Sequence, residues 1–311
     1  MDEQEFFSKV KSWCIENPQR ILLPEAHDDR VIRAAEKLRL QGLVEPVLVY
    51  EKGGQLHDTV ESIYAEPTPD HVDYFYEKRK HAGVSREDTH EKLKDPLNYA
   101  LVSAGLDLAD GVVCGANHSS AKTYRSALRI LGSHENHGLV SSCFLMFWED
   151  KTFFFADCAL NINPDSKGLA RIAESTVKTA EQYDISPRVA FLSYSTDGSA
   201  SGSAAQKVKD AVEETTLDKD SYYGEVQFDA AFAPRVRERK HASFPYEDEA
   251  NIYIFPDLSS GNIAYKVAER LGGAIAVGPI TQGLPVPVND LSRGSSVHDI
   301  IDTILLTAYH E

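Results

Sequence analysis

The sequence predicts an α/β protein of two domains, and three observations carry that prediction. A chain of 311 residues, 42% of them hydrophobic, exceeds what one core organises, because single cores stop growing near ~250 to 300 residues. Short apolar runs alternate with amphipathic helical spacing towards both ends of the chain, the pattern of βαβ units. Between them, two apolar runs split by Glu149-Asp150-Lys151 read as an antiparallel hairpin, which marks a domain boundary near residue 140.

Taken in order, Arg20 to Leu23 reads as a strand, Asp29 to Gln41 as an amphipathic helix opened by Asp28 or Asp29, and Pro46 to Tyr50 as the next strand. Glu51 to Lys94 is polar and carries Pro67 and Pro69, so it is expected to be surface structure with one helix around Val72 to His81. Asn98 to Asp107, Gly111 to Cys114 and Ala121 to Leu131 follow as helix, buried strand and helix. The polar turn Gly115 to Ser120 joins the last two, and α/β proteins place ligands at such turns.

The hairpin strands are Cys143 to Trp148 and Thr152 to Ala156. Leu169 to Tyr183 then reads as a helix and Arg188 to Ser193 as a buried strand, while the charged stretch Lys207 to Tyr223 is expected as a surface excursion. Ala250 to Phe255, Asn262 to Leu271 and Ala274 to Val277 make another βαβ unit. Ser296 to Tyr309 closes the chain as an amphipathic helix with Val297, Ile300, Ile301, Ile304, Leu305 and Ala308 on one side.

Composition narrows the function classes. A formal net charge of −16 argues against a nucleic-acid partner and repels anionic substrates at long range, so any anion site must be built from local arginines and backbone amides. The four cysteines, Cys14, Cys114, Cys143 and Cys158, show no C-x-x-C spacing, which predicts neither zinc nor disulfides and fits a cytoplasmic location. The acidic start Met1 to Glu5 lacks a signal-peptide pattern, and no apolar run approaches the ~20 residues of a membrane span.

The densest chemistry lies in Asn289-Asp290-Leu291-Ser292-Arg293-Gly294, followed by Asp299: a hydroxyl, a guanidinium and a carboxylate within short reach. Together with Gly278-Pro279 and Gln282-Gly283-Leu284, this segment closely resembles the C-terminal signature of the phosphate acetyl/butyryltransferase family, the phosphate acetyltransferases. Further blocks resemble the family in order along nearly the whole chain. They are Ala109-Asp110-Gly111, His118 to Arg125, Phe155 to Ala159, Ser193 to Thr196, Phe255 to Leu258 and Gly261 to Tyr265.

The resemblance implies two α/β domains with a cleft between them, in an isocitrate/isopropylmalate dehydrogenase-like fold. Its domains would be 1–140 completed by 288–311, and 141–287. It implies reversible acetyl transfer between acetyl phosphate and coenzyme A, with inorganic phosphate as co-product, no separate cofactor or metal, and a homodimer. Residue by residue, it makes Asp299 the base for the thiol, Ser292 the hydroxyl that orients the sulfur, and Arg293 and Arg125 the phosphate-binding arginines. Arg79, Ser119, Ser120, Asn289, Gln282, Cys158, Ser195 and Thr196 are the remaining positions it assigns to substrate binding.

The residues alone leave alternatives open. Ser296-Val297-His298-Asp299 also matches a capping box at a helix start, and a thiol near pKa ~8.5 gives up its proton to a carboxylate near ~3.9 only at a cost of about 6 kcal/mol. Ser292 alone reads as a turn residue, Arg293 as a partner of Asp290, and Arg79 as part of a solvated basic face. Three positions depart from the common family pattern: Val286 stands where lysine is frequent, Lys122 where aspartate is, and Asp197 where glycine is. The rivals are transfer of butyryl or another acyl group, a silent acyl-CoA-binding module, and a hydroxy-acid dehydrogenase, which would need a metal-binding carboxylate cluster and a nicotinamide site that the sequence does not spell.

Overall fold

The computed structural model describes residues 1–133, 138–240 and 244–309. The chain divides into two compact units, one formed by Gln4–Glu135 and Leu284–His310, the other by Met1–Glu3 and Asn136–Gly283.

The first unit opens with α1 (Glu3–Glu16), β1 (Arg20–Leu23), α2 (Asp29–Leu40), β2 (Glu45–Tyr50) and β3 (Glu61–Tyr64). It continues with α3 (Pro69–Arg79), α4 (Arg86–Lys92), α5 (Pro96–Gly105), β4 (Gly111–Cys114) and α6 (Ser120–Ile130). The second unit holds β5 (Ser141–Trp148), β6 (Lys151–Ala156), α7 (Ser166–Gln182), β7 (Val189–Leu192), α8 (Ser203–Glu214), β8 (Tyr222–Val226), α9 (Phe228–Phe232), α10 (Pro234–Arg239), β9 (Ile252–Ile254), α11 (Leu258–Arg270) and β10 (Ile275–Gln282). The chain then returns to the first unit with β11 (Val288–Asp290) and α12 (Val297–Ala308).

The first unit is built on a parallel five-stranded sheet in the order β11-β4-β1-β2-β3. Helices cover both faces, which is why β4 (Gly-Val-Val-Cys) is buried at every position instead of alternating. On one face, Leu22, Val47, Val112 and Val288 pack with Phe75, Leu97, Leu101 and Ile130 of α3, α5 and α6. On the other lie α2 and α12. In α2 the buried residues Val31, Ala34, Ala35 and Leu38 repeat at helical spacing, and Asp28 caps it by accepting from the Arg30 amide at 2.8 Å.

The second unit has a mixed six-stranded sheet, β10-β5-β6-β9-β7-β8. The hairpin β5/β6 and the edge strand β10 pair antiparallel, and β6, β9, β7 and β8 run parallel. Phe153, Phe154 and Phe155 of β6 are all buried, each contributing roughly 1.5 to 3 kcal/mol of transfer free energy.

Two sequence expectations fail. Lys207 to Tyr223 is not a surface excursion: it falls largely within α8 and the start of β8, where Ala205, Val208 and Ala211 give α8 a narrow buried stripe. The polar stretch Glu51 to Lys94 supplies β3 and the core residues Val60, Ala65, Phe75 and Leu93. No helix of the described residues is long and apolar enough to cross a membrane.

Candidate active site

Sheet order sets the site. β1, β4 and β11 are neighbours and parallel, so their carboxyl ends open at one edge, with Cys114 beside Asp290 in register. The chain reverses direction across the sheet between β1 and β4, and parallel α/β sheets bind ligands at such a point. Three segments leave there: Pro24 to Asp28, the turn 115–119, and the loop 291–296 that carries Ser292 and Arg293.

Glu25 holds the turn. Its carboxylate, 1% exposed, accepts from three successive backbone amides: Ala116 at 2.6 Å, Asn117 at 2.7 Å and His118 at 2.8 Å. Burial by itself would raise its pKa. The His118 ring and the backbone donors outweigh that and hold it down to about 2. His118 Nδ1 lies 3.0 Å from Glu25 Oε1, but misaligned for a hydrogen bond, so the contact is mainly electrostatic. On its far side His118 Nε2 is 2.9 Å from Lys122 Nζ, which also reaches Asp95 at 3.4 Å. An ammonium can only donate, so this arrangement puts the imidazole proton on Nδ1, facing Glu25.

Arg30, in the first turn of α2, joins the three segments. Its Nε and Nη2 donate to Asp28 at 3.1 and 2.8 Å, and Nη2 also donates to the Ala116 carbonyl at 3.1 Å. Nη1 donates to the carbonyls of Arg293 and Ser295, both at 2.9 Å. The guanidinium foremost, opposed by partial burial, holds Asp28 down to about 2.

Asp290 ends β11, 1% exposed. Burial above all, reinforced by the Glu25 charge, lifts its carboxyl to about 6, against the opposing pull of Ser120, Thr123 and His118. Gly115, at φ +103°, is required beside it: a Cβ there would lie 2.3 Å from Asp290 Oδ1 and 2.7 Å from the Leu291 nitrogen.

The loop itself is a tight turn. Ser295 N donates to the Ser292 carbonyl at 2.9 Å, Ser292 N to the Ser295 hydroxyl at 3.1 Å, and Gly294 N to Ser292 Oγ at 3.3 Å. Because Ser292 Oγ accepts here, its own proton is left to donate outward. Ser292, Arg293 and Asp299 are all exposed. Asp299 forms the capping box at the start of α12: its Oδ2 accepts from Ser296 N at 2.8 Å, and its own amide donates to Ser296 Oγ at 3.3 Å.

The same unit carries Ser119 and Ser120 at the start of α6, with Ser119 as N-cap, and Arg125 exposed in the second turn. Arg79, half-buried at the end of α3, has a buried Nε with no hydrogen-bond partner among the described residues.

Other expected positions turn inward. Asn289 donates to the Thr307 hydroxyl at 2.9 Å. In the second unit, Gln282 joins Ser141, Thr176 and Thr179, and Ser195 donates to Glu225 at 2.5 Å. Thr196 Oγ1 accepts from Gln227 N at 3.0 Å, and Cys158 is 0% exposed in an aromatic core, where burial pushes its thiol far above the usual range. The side chains of these five are committed within the fold, so Cys158 packs in the core and does not line a surface.

The departures are accommodated locally. Lys122 is paired with His118 and Asp95, Val286 packs against the first unit's core, and Asp197 adopts φ +49° while accepting from the Tyr223 hydroxyl at 2.5 Å. Aspartate tolerates that left-handed backbone better than most residues. Glu25 and Arg30 were not singled out by sequence reasoning, and Asp28 only as a helix cap. Their signal is a run of charged residues directly after a buried strand and ahead of a helix.

The chain is 40% identical over 323 residues to the phosphate acetyltransferase of Bacillus subtilis, an alignment spanning 98% of each. A solved phosphotransacetylase from Streptococcus pyogenes superposes with a TM-score of 0.92 at 39% identity, covering 99% of this chain and 98% of that one. A Salmonella typhimurium protein assigned as a 4-hydroxythreonine-4-phosphate dehydrogenase shares the fold alone, at 12% identity and a TM-score of 0.51 over 94% of this chain and 99% of that one; the dehydrogenase-like α/β architecture is present. The model of the phosphate acetyl/butaryl transferase family matches residues 4–308, and the chain belongs to that family.

Proposed function

We propose that this chain is a phosphate acetyltransferase, which interconverts acetyl phosphate plus coenzyme A with acetyl-CoA plus inorganic phosphate by direct attack in a ternary complex. The observation that carries the reading is the outward-facing set Ser292, Arg293 and Asp299, held with the α6 amino terminus at the open edge of one parallel sheet. In the step, Asp299 takes the thiol proton and the sulfur bonds to the acetyl carbon. The carbon–oxygen bond to phosphate then breaks, and the phosphate leaves with the electron pair. Ser292 orients the sulfur and donates a hydrogen bond from its hydroxyl to the oxygen that gains charge. Arg293 and Arg125 hold the phosphate, with Ser119, Ser120 and Arg79 as further anion contacts. Arginine suits this task because its fork is permanently charged and binds phosphate bidentately.

Initial rates of thioester formation with acetyl and butyryl phosphate test the reading. Acetyl phosphate is expected to be the faster donor; a clear preference for butyryl phosphate would move the substrate, and coenzyme A binding without turnover would replace the enzyme by a binding module. The same reading makes it a cytoplasmic homodimer, in keeping with four buried free cysteines and the exposed Ile263, Val267 and Leu271 on and just after α11. Sedimentation velocity is expected to give a dimer, and a monomer at working concentration would count against it.

A further inference from the structure

We propose that Arg30 is a positioning residue for the acyl transfer: its guanidinium fixes the Ser292–Arg293 loop against the turn that opens α6, without touching substrate. The proposal rests on the transferase reading for its catalytic consequence and on geometry for the clamp itself. Five contacts use the five N–H donors of one planar group: two on Asp28, one on the Ala116 carbonyl, and one each on the carbonyls of Arg293 and Ser295. Two of the acceptors flank Gly294 on the loop that presents Ser292 and Arg293. The third is the residue whose own amide is held by Glu25. Asp28 sets the plane of the fork from its position as N-cap of α2 and receives Asn117 Nδ2 at 2.9 Å as well.

Nothing local demands an arginine here. The α2 cap is made by Asp28 accepting from the backbone amide, and the buried stripe of α2 does not include Arg30. The fork is what the position uses. Lysine keeps the charge but gathers three donors on one nitrogen, which cannot reach both loops while staying on Asp28.

The test compares Arg30→Lys with wild type by kinetics and by amide hydrogen exchange. Displacing a reacting group by about 1 Å costs rate on the order of 100-fold. Arg30→Lys is therefore expected to lower kcat by roughly that factor, with the KM for coenzyme A nearly unchanged. Exchange should accelerate in residues 292–296 and 116–118 and stay as in wild type across the second unit and in α5. Asp28→Asn, which keeps an oxygen for the cap but weakens the hold on the fork, should show a smaller loss, and adding it to Arg30→Lys should cost little more.

Wild-type exchange in both segments of Arg30→Lys overturns the clamp, and so does faster exchange throughout the five-stranded sheet, which would make Arg30 a general stability residue. Local loosening with kcat within twofold of an active wild type overturns its part in catalysis. If the wild type transfers no acetyl group, the transferase reading fails, and the exchange comparison still decides the clamp.

Discussion

Replacing Asp299 by asparagine should lower kcat for thioester formation about 100- to 10,000-fold, the usual worth of a positioned general base, while changing stability by less than about 1 kcal/mol. The separation is possible because the two roles use different chemistry. The capping role needs an oxygen to accept from Ser296 N, now 2.8 Å away, and the asparagine amide still offers one. The base role needs a basic lone pair, which the amide lacks. Proton transfer from a thiol near ~8.5 to a carboxylate near ~3.9 is uphill by about 6 kcal/mol, so the proposed base role requires bound substrate to strip water from the carboxylate and Arg293 to stabilise the thiolate. Kinetics beside a denaturant titration decide the matter. Unchanged kcat returns Asp299 to capping alone, and joint loss of kcat and stability would mean that the asparagine has disrupted the helix start.

Glu25→Gln should cost about 2 to 4 kcal/mol of stability and reduce activity along with it. Three backbone N–H groups and a histidine ring point at a carboxylate that is 1% exposed. Glutamine turns one oxygen into a donor, which sets N–H against N–H in a closed site and leaves at least one amide unsatisfied. The pH dependence has a definite sign. Glu25 falls from an ordinary 4.5 to about 2 in the fold, so its contribution is fully present above about 4.5 and disappears as pH drops through about 2. Asp290 acts the other way: its carboxyl rises from 3.8 to about 6, so it reduces stability as pH climbs from about 4 to 6. The acid limb below about 4 should therefore be shared by Glu25 and Asp28, which is also held down to about 2, and should flatten in part in the glutamine variant. Urea melts from pH 2 to 7 check this, and an identical acid limb in the two proteins would remove Glu25 from that role.

The sequence makes the local half of this site legible. The Ser292-Arg293 turn, the capping box at Ser296 and Asp299, and the Asp28 cap are all spelled within a few residues, where side-chain chemistry and helix rules act directly. The supporting half is long-range. Glu25 meets its amides 91 to 93 positions later and Arg30 meets the loop 263 and 265 positions later, distances that no periodicity encodes. β1, β2 and β4 of the parallel sheet announce themselves as apolar runs, whereas the short β3 and β11 do not, and α8 hides because its buried stripe is made of Ala205, Val208 and Ala211 among charges. Cys158 and Gln282 fall within family-like blocks, yet burial decides what their side chains do, and burial is a property of the finished fold.

The place of β11 in the sheet has a consequence for how the protein is made. It is translated after β5 to β10, whereas its partner β4 precedes them. During synthesis the β4 edge, with its unpaired amides and carbonyls, stays open while all of β5 to β10 is translated, and open edges are templates for wrong pairing. The segment directly after that strand carries Ser292, Arg293 and Asp299, so a nascent chain lacks the residues proposed for acyl transfer until the strand that covers its exposed edge has been made.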